Sequence, residues 1–264
     1  MRDISFYKKG GKFIFGMVHC KALPGTAFFE DDMEKIKDLA VSDAINLEKA
    51  GVDAIIVENM GDDPFSEKLD IPQIAALAAI SQKVSENVKI PLGIDAAMND
   101  YEAAISIAKA VGADFVRIPV FVDTVEFTGG IIEPCARKAM ILRKNLSAEN
   151  IKILSDIQVK HSHMLLSHIS IEDSAMAAQT CGADGIIVTG TYIGKETPIE
   201  IIQKVKKVTD IPIIVGSGFK KENAKSQLEI ADGAIVGSSI KEGGIFKNPV
   251  SYELTKELID ICKS

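Results

Sequence analysis

Cysteine is scarce: Cys20, Cys135, Cys181 and Cys262 are scattered through 264 residues with no Cys-x-x-Cys pair. That excludes a zinc knuckle, a thioredoxin-like motif and a disulfide scaffold, and a reducing cytoplasm is the expected compartment. Long apolar runs are also missing. Each is about strand-sized and is broken by Gly, Pro or charge, well short of the roughly 20 residues that span a bilayer, so no membrane insertion is expected. The opening MRDISFYKKGGKFIFGMVH lacks a sustained apolar region followed by a small-residue cleavage site, so no secretory leader is expected. Finally, there is no excess of positive charge: 30 Lys and Arg stand against 37 Asp and Glu, a net charge of −7. Gripping a phosphate backbone needs the opposite balance, so nucleic acid is not expected as a partner.

What is present is hydrophobic content of 47% in a chain long enough to bury a large core, and a repeated phrase. A helix ends on Gly or Ala, an Asp follows, and a short β-branched run begins. The phrase occurs as Gly51-Val52-Asp53 before AIIVEN, Gly112-Ala113-Asp114 before FVRIPV, Gly182-Ala183-Asp184 before GIIVTG and Ile230-Ala231-Asp232 before GAIVGS. Gly suits the left-handed turn after a helix, and the apolar runs have the length of fully buried parallel strands. Between these copies lie KIPLGID at 89–95 and DIPIIVGSG at 210–218, where Pro opens a strand without having to donate. KILSDIQV at 152–159 fills the same role without Pro, and FIFGMVH at 13–19 adds a strand at the start.

Helical periodicity fills the gaps at 33–50, 70–86, 100–111, 134–145, 170–181, 197–208, about 220–229 and 249–262. Eight strands alternating with eight helices predict right-handed parallel crossovers and a single (β/α)₈ TIM barrel over residues 1–264, of the phosphate-binding type. The two alternating phrases are what a two-unit repeat would leave. Residues 119–133 form a long connection after the fourth strand. It carries Phe127-Thr128-Gly129-Gly130, which with Asp62-Asp63-Pro64-Phe65 reads as a lid over the barrel mouth.

Barrel active sites lie at the carboxyl ends of the strands, and those ends here are unusually polar. The first ends in His19, the second in Glu58-Asn59, the third in Asp95 and the fourth in Arg117; the fifth carries Asp156, Gln158, Lys160 and His161, and the sixth Thr189-Gly190-Thr191. The last two supply Gly216-Ser217-Gly218 and Gly237-Ser238-Ser239. Glycine lets backbone N–H groups approach a phosphate, and a helix starting near Lys220 would aim its positive end there, so Gly216, Ser217, Gly218, Gly237 and Ser238 are the expected phosphate contacts. A tight turn is the bland alternative.

Asp156 and Lys160 share one face if the fifth strand stays extended. Asp156 would then transfer protons or meet a metal, and Lys160 would neutralise substrate charge or form a Schiff base; the alternative is a structural ion pair. His19 could act as general acid or base, or be a satisfied core histidine. Glu58, Asp95 and Asp156 could form a carboxylate cup for Mg²⁺, or bond ribose-like hydroxyls or loops. Arg117 should hold a substrate anion or one of these carboxylates. Asn59, His161, Thr189 and Gly190 complete the expected substrate contacts. His161-Ser162-His163 is read as a loop pair rather than a zinc site, and His168 as a surface residue.

GMVHCKALPG at 16–25, VENMGDDPF at 57–65, the Arg117 strand, SDIQVKHSH at 155–163, TGTYIG at 189–194 and GSGFKKEN at 216–223 together resemble the BtpA/SgcQ family over nearly the whole chain. That family is similar in expected fold to phosphate-binding barrels. Its name comes from members implicated in photosystem I biogenesis and from one encoded with sugar-transport and sugar-metabolism genes. Family patterns read Asn-Asp-Ala where this chain has Ile94-Asp95-Ala96, and Arg-Val-Asn where it has Arg117-Ile118-Pro119; Asp95 and Arg117 keep their places while their polar neighbours change.

Three readings follow. The first is an enzyme using acid/base chemistry on a phosphorylated sugar or nucleotide-like metabolite, as a lyase, aldolase, isomerase or hydrolase. The second is a non-catalytic assembly or stability factor. The third is a metal-dependent hydrolase built on the carboxylates with His19 or His161. A homo-oligomer is the prior that the fold itself supplies.

Overall fold

The computed structural model describes residues 2–5, 7–190 and 196–264. Eight parallel strands close into a barrel in the order β1 (Phe13–His19), β2 (Ala54–Glu58), β3 (Leu92–Asp95), β4 (Phe115–Ile118), β7 (Lys152–Ile157), β9 (Gly185–Val188), β10 (Ile213–Val215) and β11 (Gly233–Val236). Around it lie α1 (Met33–Ala50), α2 (Ile71–Asn87), α3 (Tyr101–Val111), α4 (Ala136–Asn145), α5 (Ile171–Thr180), α6 (Ile199–Val208), α7 (Ala224–Leu228) and α8 (Tyr252–Lys263). The predicted TIM barrel is the observed fold. Among the described residues no helix is long and apolar enough to cross a membrane.

The repeated Asp has a mechanical reason. In each copy its carboxylate accepts the N–H of a residue opening the neighbouring strand: Asp53 from Ile14 at 2.8 Å, Asp114 from Leu92 at 3.1 Å, Asp184 from Ile153 at 2.9 Å and Asp232 from Ile213 at 2.8 Å. Its own N–H returns a bond to the carbonyl of that same residue at 2.8–2.9 Å. Four such clamps stitch β1 to β2, β3 to β4, β7 to β9 and β10 to β11. The glycine before three of them, Gly51, Gly112 and Gly182, takes the left-handed turn at φ 93°, 68° and 95° that ends the preceding helix.

Side chains alternate in and out along each strand. The outward set packs against the helices in the large core. The inward set fills the foot of the barrel with Phe13, Phe15, Phe115, Leu154, Ile187 and Ile214, and Tyr7 packs against them from the segment before β1. Gly93, Gly185 and Gly233 are seats for these rings: a Cβ there would collide with Phe115, the Tyr7 hydroxyl and Phe13 respectively.

Three elements depart from expectation. The long connection after β4 is a two-residue hairpin, β5 (Val125–Phe127) and β6 (Gly130–Ile132), which with β8 (His163–Met164) forms a small antiparallel sheet in the order β6-β5-β8. The strand predicted to run through Val159 stops at Ile157, because Gln158 turns into the left-handed region at φ 45°. The helix expected from Lys220 begins only at Ala224, since Asn223 is used in a local turn, accepting from Lys220 N–H at 2.9 Å and donating to the Gly218 carbonyl at 2.9 Å.

Candidate active site

Parity carries the polar strand ends inward. His19 continues the Phe13, Phe15, Met17 row, Glu58 follows Ile56, Asp95 follows Gly93, Arg117 follows Phe115 and Asp156 follows Leu154. Register then sets four of them side by side, His19 beside Glu58, Glu58 beside Asp95 and Asp95 beside Arg117. They face a cavity of about 1350 Å³ at the carboxyl ends of the strands.

Arg117 organises the cluster. Its Nε donates to Asp156 Oδ1 at 2.8 Å and its Nη2 to Oδ2 at 2.9 Å, a bidentate fork, while Nη1 lies 3.3 Å from Asp95 Oδ2 and 4.0 Å from Glu58 Oε1. Burial works against the guanidinium charge, but Asp156, Asp95 and Glu58 together raise its pKa above the ordinary value. His19 Nε2 lies 3.3 Å from Glu58 Oε2. Burial would push Glu58 up, yet His19, Arg117 and Lys160 outweigh it and hold the carboxyl near pKa 2. Asp95 moves the other way: burial first, then the charge of Glu58, lift it well above the carboxylate range, with Arg117 opposing. The two neighbouring carboxyls are therefore driven in opposite directions, Glu58 down and Asp95 up. The 3.3 Å approach of Arg117 is off the line of a hydrogen bond, and the hydrogen-bonding neighbour of the Asp95 carboxyl is Glu58.

Two expectations need correction here. Asp156 is fully buried behind Arg117, outside the cavity lining, with both oxygens in the fork, so the ion pair expected as its alternative role forms with Arg117 and not with Lys160. The carboxylate cup does not suit Mg²⁺, because the guanidinium already occupies the centre of Glu58, Asp95 and Asp156. Among the described residues no group of three or more His, Cys, Asp or Glu side chains is arranged to hold a metal ion.

Asn59 is likewise spent on structure. Its Nδ2 donates to Asp62 Oδ2 and to the Ala97 carbonyl, both at 3.0 Å, and its Oδ1 accepts from Ala97 N–H at 2.7 Å, tying the loop after β2 to that after β3. Asp62, expected in a lid, also accepts from Leu23 N–H at 2.7 Å and Gln73 Nε2 at 2.8 Å and is buried; only Asp63 and Phe65 of that stretch reach the cavity.

Lys160 does reach the cavity, but not along an extended strand. After the turn at Gln158 its N–H donates to Thr189 Oγ1 at 3.1 Å. The turn is held by a network that the sequence reading missed: Asp123 accepts Gln158 N–H at 2.7 Å and Ser174 Oγ at 2.7 Å, and Gln158 Nε2 donates to the Ile169 carbonyl at 3.2 Å. No residue-type signal marks Asp123 as a partner for a turn 35 residues away. Burial and the neighbouring Arg117 lower the Lys160 pKa, against the pull of Glu58, Asp156 and Asp95. His161 is exposed and lines the cavity, its pKa lowered by burial of the ring and by Lys160. His163 also lines it, from β8, and His168 is exposed outside it. Thr189 and Gly190 line it too, while Thr191 lies outside the described residues.

The glycine-serine ends complete the wall. Gly216, Ser217, Gly218, Gly237 and Ser238 all line the cavity, with Lys220 and Lys247 nearby. In barrel order β10 stands opposite β3, and β11 opposite β4, so this wall faces Asp95 and Arg117 across the mouth. Gly237 packs beside His19, where a Cβ would come within 3.1 Å of the ring. The Ser217 hydroxyl is buried without a hydrogen-bond partner. His19 Nδ1 is likewise buried and unpartnered, and both residues line this one cavity.

Comparison with known proteins agrees with this architecture. In structure the chain is similar to (S)-3-O-geranylgeranylglyceryl phosphate synthase from Thermoplasma acidophilum, solved with its substrate sn-glycerol-1-phosphate, at a TM-score of 0.61 and 18% identity over 96% of this chain and 94% of the other. Phosphoribosyl anthranilate isomerase from Thermus thermophilus gives 0.61 and 11% over 95% and 98%. At these identities the likeness is one of fold. In sequence the chain is 40% identical to an uncharacterised protein of Pyrococcus furiosus over 100% of this chain and 98% of the relative. It is 31% identical to the photosystem I biogenesis protein BtpA of Synechocystis over 88% and 81%. The pattern that defines the BtpA family matches residues 11–264, and with these relatives it establishes that the chain belongs to the BtpA family.

Proposed function

We propose that the chain is an enzyme that binds a small phosphorylated metabolite and moves protons on it. The phosphate sits against Gly216-Ser217-Gly218 and Gly237-Ser238, and the reacting end points across the mouth to His19, Glu58 and Asp95. One observation carries the reading: unpartnered buried polar atoms face the cavity from both walls, Ser217 Oγ on one side and His19 Nδ1 on the other. Such atoms cost free energy unless a ligand or water satisfies them. Asp95, its pKa raised, is suited to give a proton; Glu58 steadies His19, whose ring can pass one on. Thr189, Gly190 and His161 flank the ligand between the two ends. The structural neighbours named for phosphorylated compounds support the choice of anion.

Thermal unfolding with millimolar inorganic phosphate and glycerol 1-phosphate tests this. A ligand at about 100 times its Kd adds about 2.7 kcal/mol, which raises Tm by roughly 5–10 °C in a domain of this size. Ser238→Asp, which puts a carboxylate where the phosphate belongs, should abolish the rise. Absence of any rise in the native chain with either compound overturns the reading.

The name of the Synechocystis relative favours a second reading, an assembly factor. It would require a protein complex that survives Asp95→Asn combined with Lys160→Ala.

A further inference from the structure

We infer that Lys160 is a nucleophile whose amine condenses with the carbonyl of a phosphorylated aldehyde or ketone to form an imine at the barrel mouth. The inference rests on the phosphate reading above.

The contrast with Lys241 is instructive. That buried lysine has its ammonium on Asp43 at 2.7 Å, so where the fold buries a lysine for structure it supplies a carboxylate. Lys160 is half-buried at the cavity wall, yet among the described residues it forms no ion pair within 4.0 Å. Arg117, not Lys160, makes the close contacts with the three carboxylates around it. The backbone is bent to place it there. Gln158 takes a left-handed conformation that favours glycine, held by Asp123 and by Thr189 on the Lys160 N–H. Burial and Arg117 make the neutral amine accessible nearer neutral pH than for a surface lysine.

The proton traffic falls to Asp95. The Lys160 nitrogen lone pair forms the C–N bond while the carbonyl π pair moves onto oxygen, which takes the Asp95 proton. The nitrogen returns one of its own protons to Asp95. Asp95 then protonates the new hydroxyl, which departs as water as the nitrogen lone pair closes the C=N bond. The balance is amine plus carbonyl plus one proton to protonated imine plus water, with Asp95 left as the anion beside the new cation. No oxidant or reductant is consumed.

Pyridoxal 5′-phosphate, an aldehyde carrying a phosphate, is the probe. The native chain is treated with less than one equivalent, reduced with borohydride, digested and mapped by mass spectrometry, with pyridoxal and added inorganic phosphate as the other arms. Label should collect on Lys160 before the exposed Lys207 and the cavity-rim Lys220, and Lys160→Arg should lose it. If phosphate protects Lys160 and pyridoxal labels it poorly, both the inference and the phosphate reading stand. If pyridoxal labels Lys160 as well as its phosphate ester does, and phosphate does not protect, the nucleophile stands and the phosphate reading falls. If phosphate displaces the probe while the label lies on other lysines, the inference is overturned and the phosphate reading stands. If neither Lys160 labelling nor displacement is seen, both are overturned.

Discussion

Asp95 and Glu58 are neighbours in register, yet their surroundings shift their pKa values in opposite directions. The difference predicts how each variant behaves with pH. Because its folded pKa lies above the ordinary 3.8, Asp95 carries a penalty in the native state that is absent below pH 3.8 and grows as pH rises toward the folded value. Asparagine is a neutral isostere without that penalty. Asp95→Asn should therefore equal or exceed the native chain in urea unfolding at neutral pH, with the gap closing near pH 4, even if it abolishes turnover. Asp156→Ala removes one arm of a buried fork and should cost about 3–5 kcal/mol under the same conditions. If the two variants lost stability equally, the contrast drawn between these carboxylates would fail. The strand-end rule made His19, Glu58, Asp95 and Arg117 legible as residues of the barrel mouth. That Asp156 hides behind Arg117 was not, because register between strands, not residue type, decides which partner stands in front.

At the scale of elements, the Asp clamps explain why a simple phrase could be read four times and translated directly into strands. Asp232 is the most enclosed of them: it takes Gly10 N–H at 2.6 Å as well as Ile213 N–H, and is 1% exposed. Bonds to a charged group contribute about 1.5–3 kcal/mol each. Asp232→Ala should lower stability by about 3 kcal/mol or more and speed hydrogen exchange at the Ile213 amide, whereas Asp53→Ala, at a partly exposed site, should cost less. Equal losses would mean that the clamps are incidental to closure. The elements that misled the reading share a cause. Gln158 adopts a conformation that Gly or Asn would have advertised. The β5–β6 strands are three residues each, too short for alternation to show, and Thr128-Gly129 between them is not one of the dipeptides that mark a tight hairpin turn. The first turn expected of α7 was lost to a local bond from Asn223, competition of the kind that short polar side chains offer a helix.

At the scale of the whole molecule the closed barrel was legible because alternation, strand length and eight repeats all point to one topology. The size and lining of the cavity were not, since they depend on how loops far apart in sequence fold over the mouth. The foot of the barrel is packed with Phe13, Phe15, Phe115 and Tyr7 on glycine seats, so among the described residues the interior is closed at that end and the cavity lies at the carboxyl ends of the strands. A ligand that enters from the mouth meets a closed foot and leaves from the mouth side. For an enzyme so built, a departing molecule and an arriving one contend for a single threshold; the spent ligand should inhibit in competition with the fresh one, and crowding at the exit, as much as the chemistry inside, should set the pace of turnover.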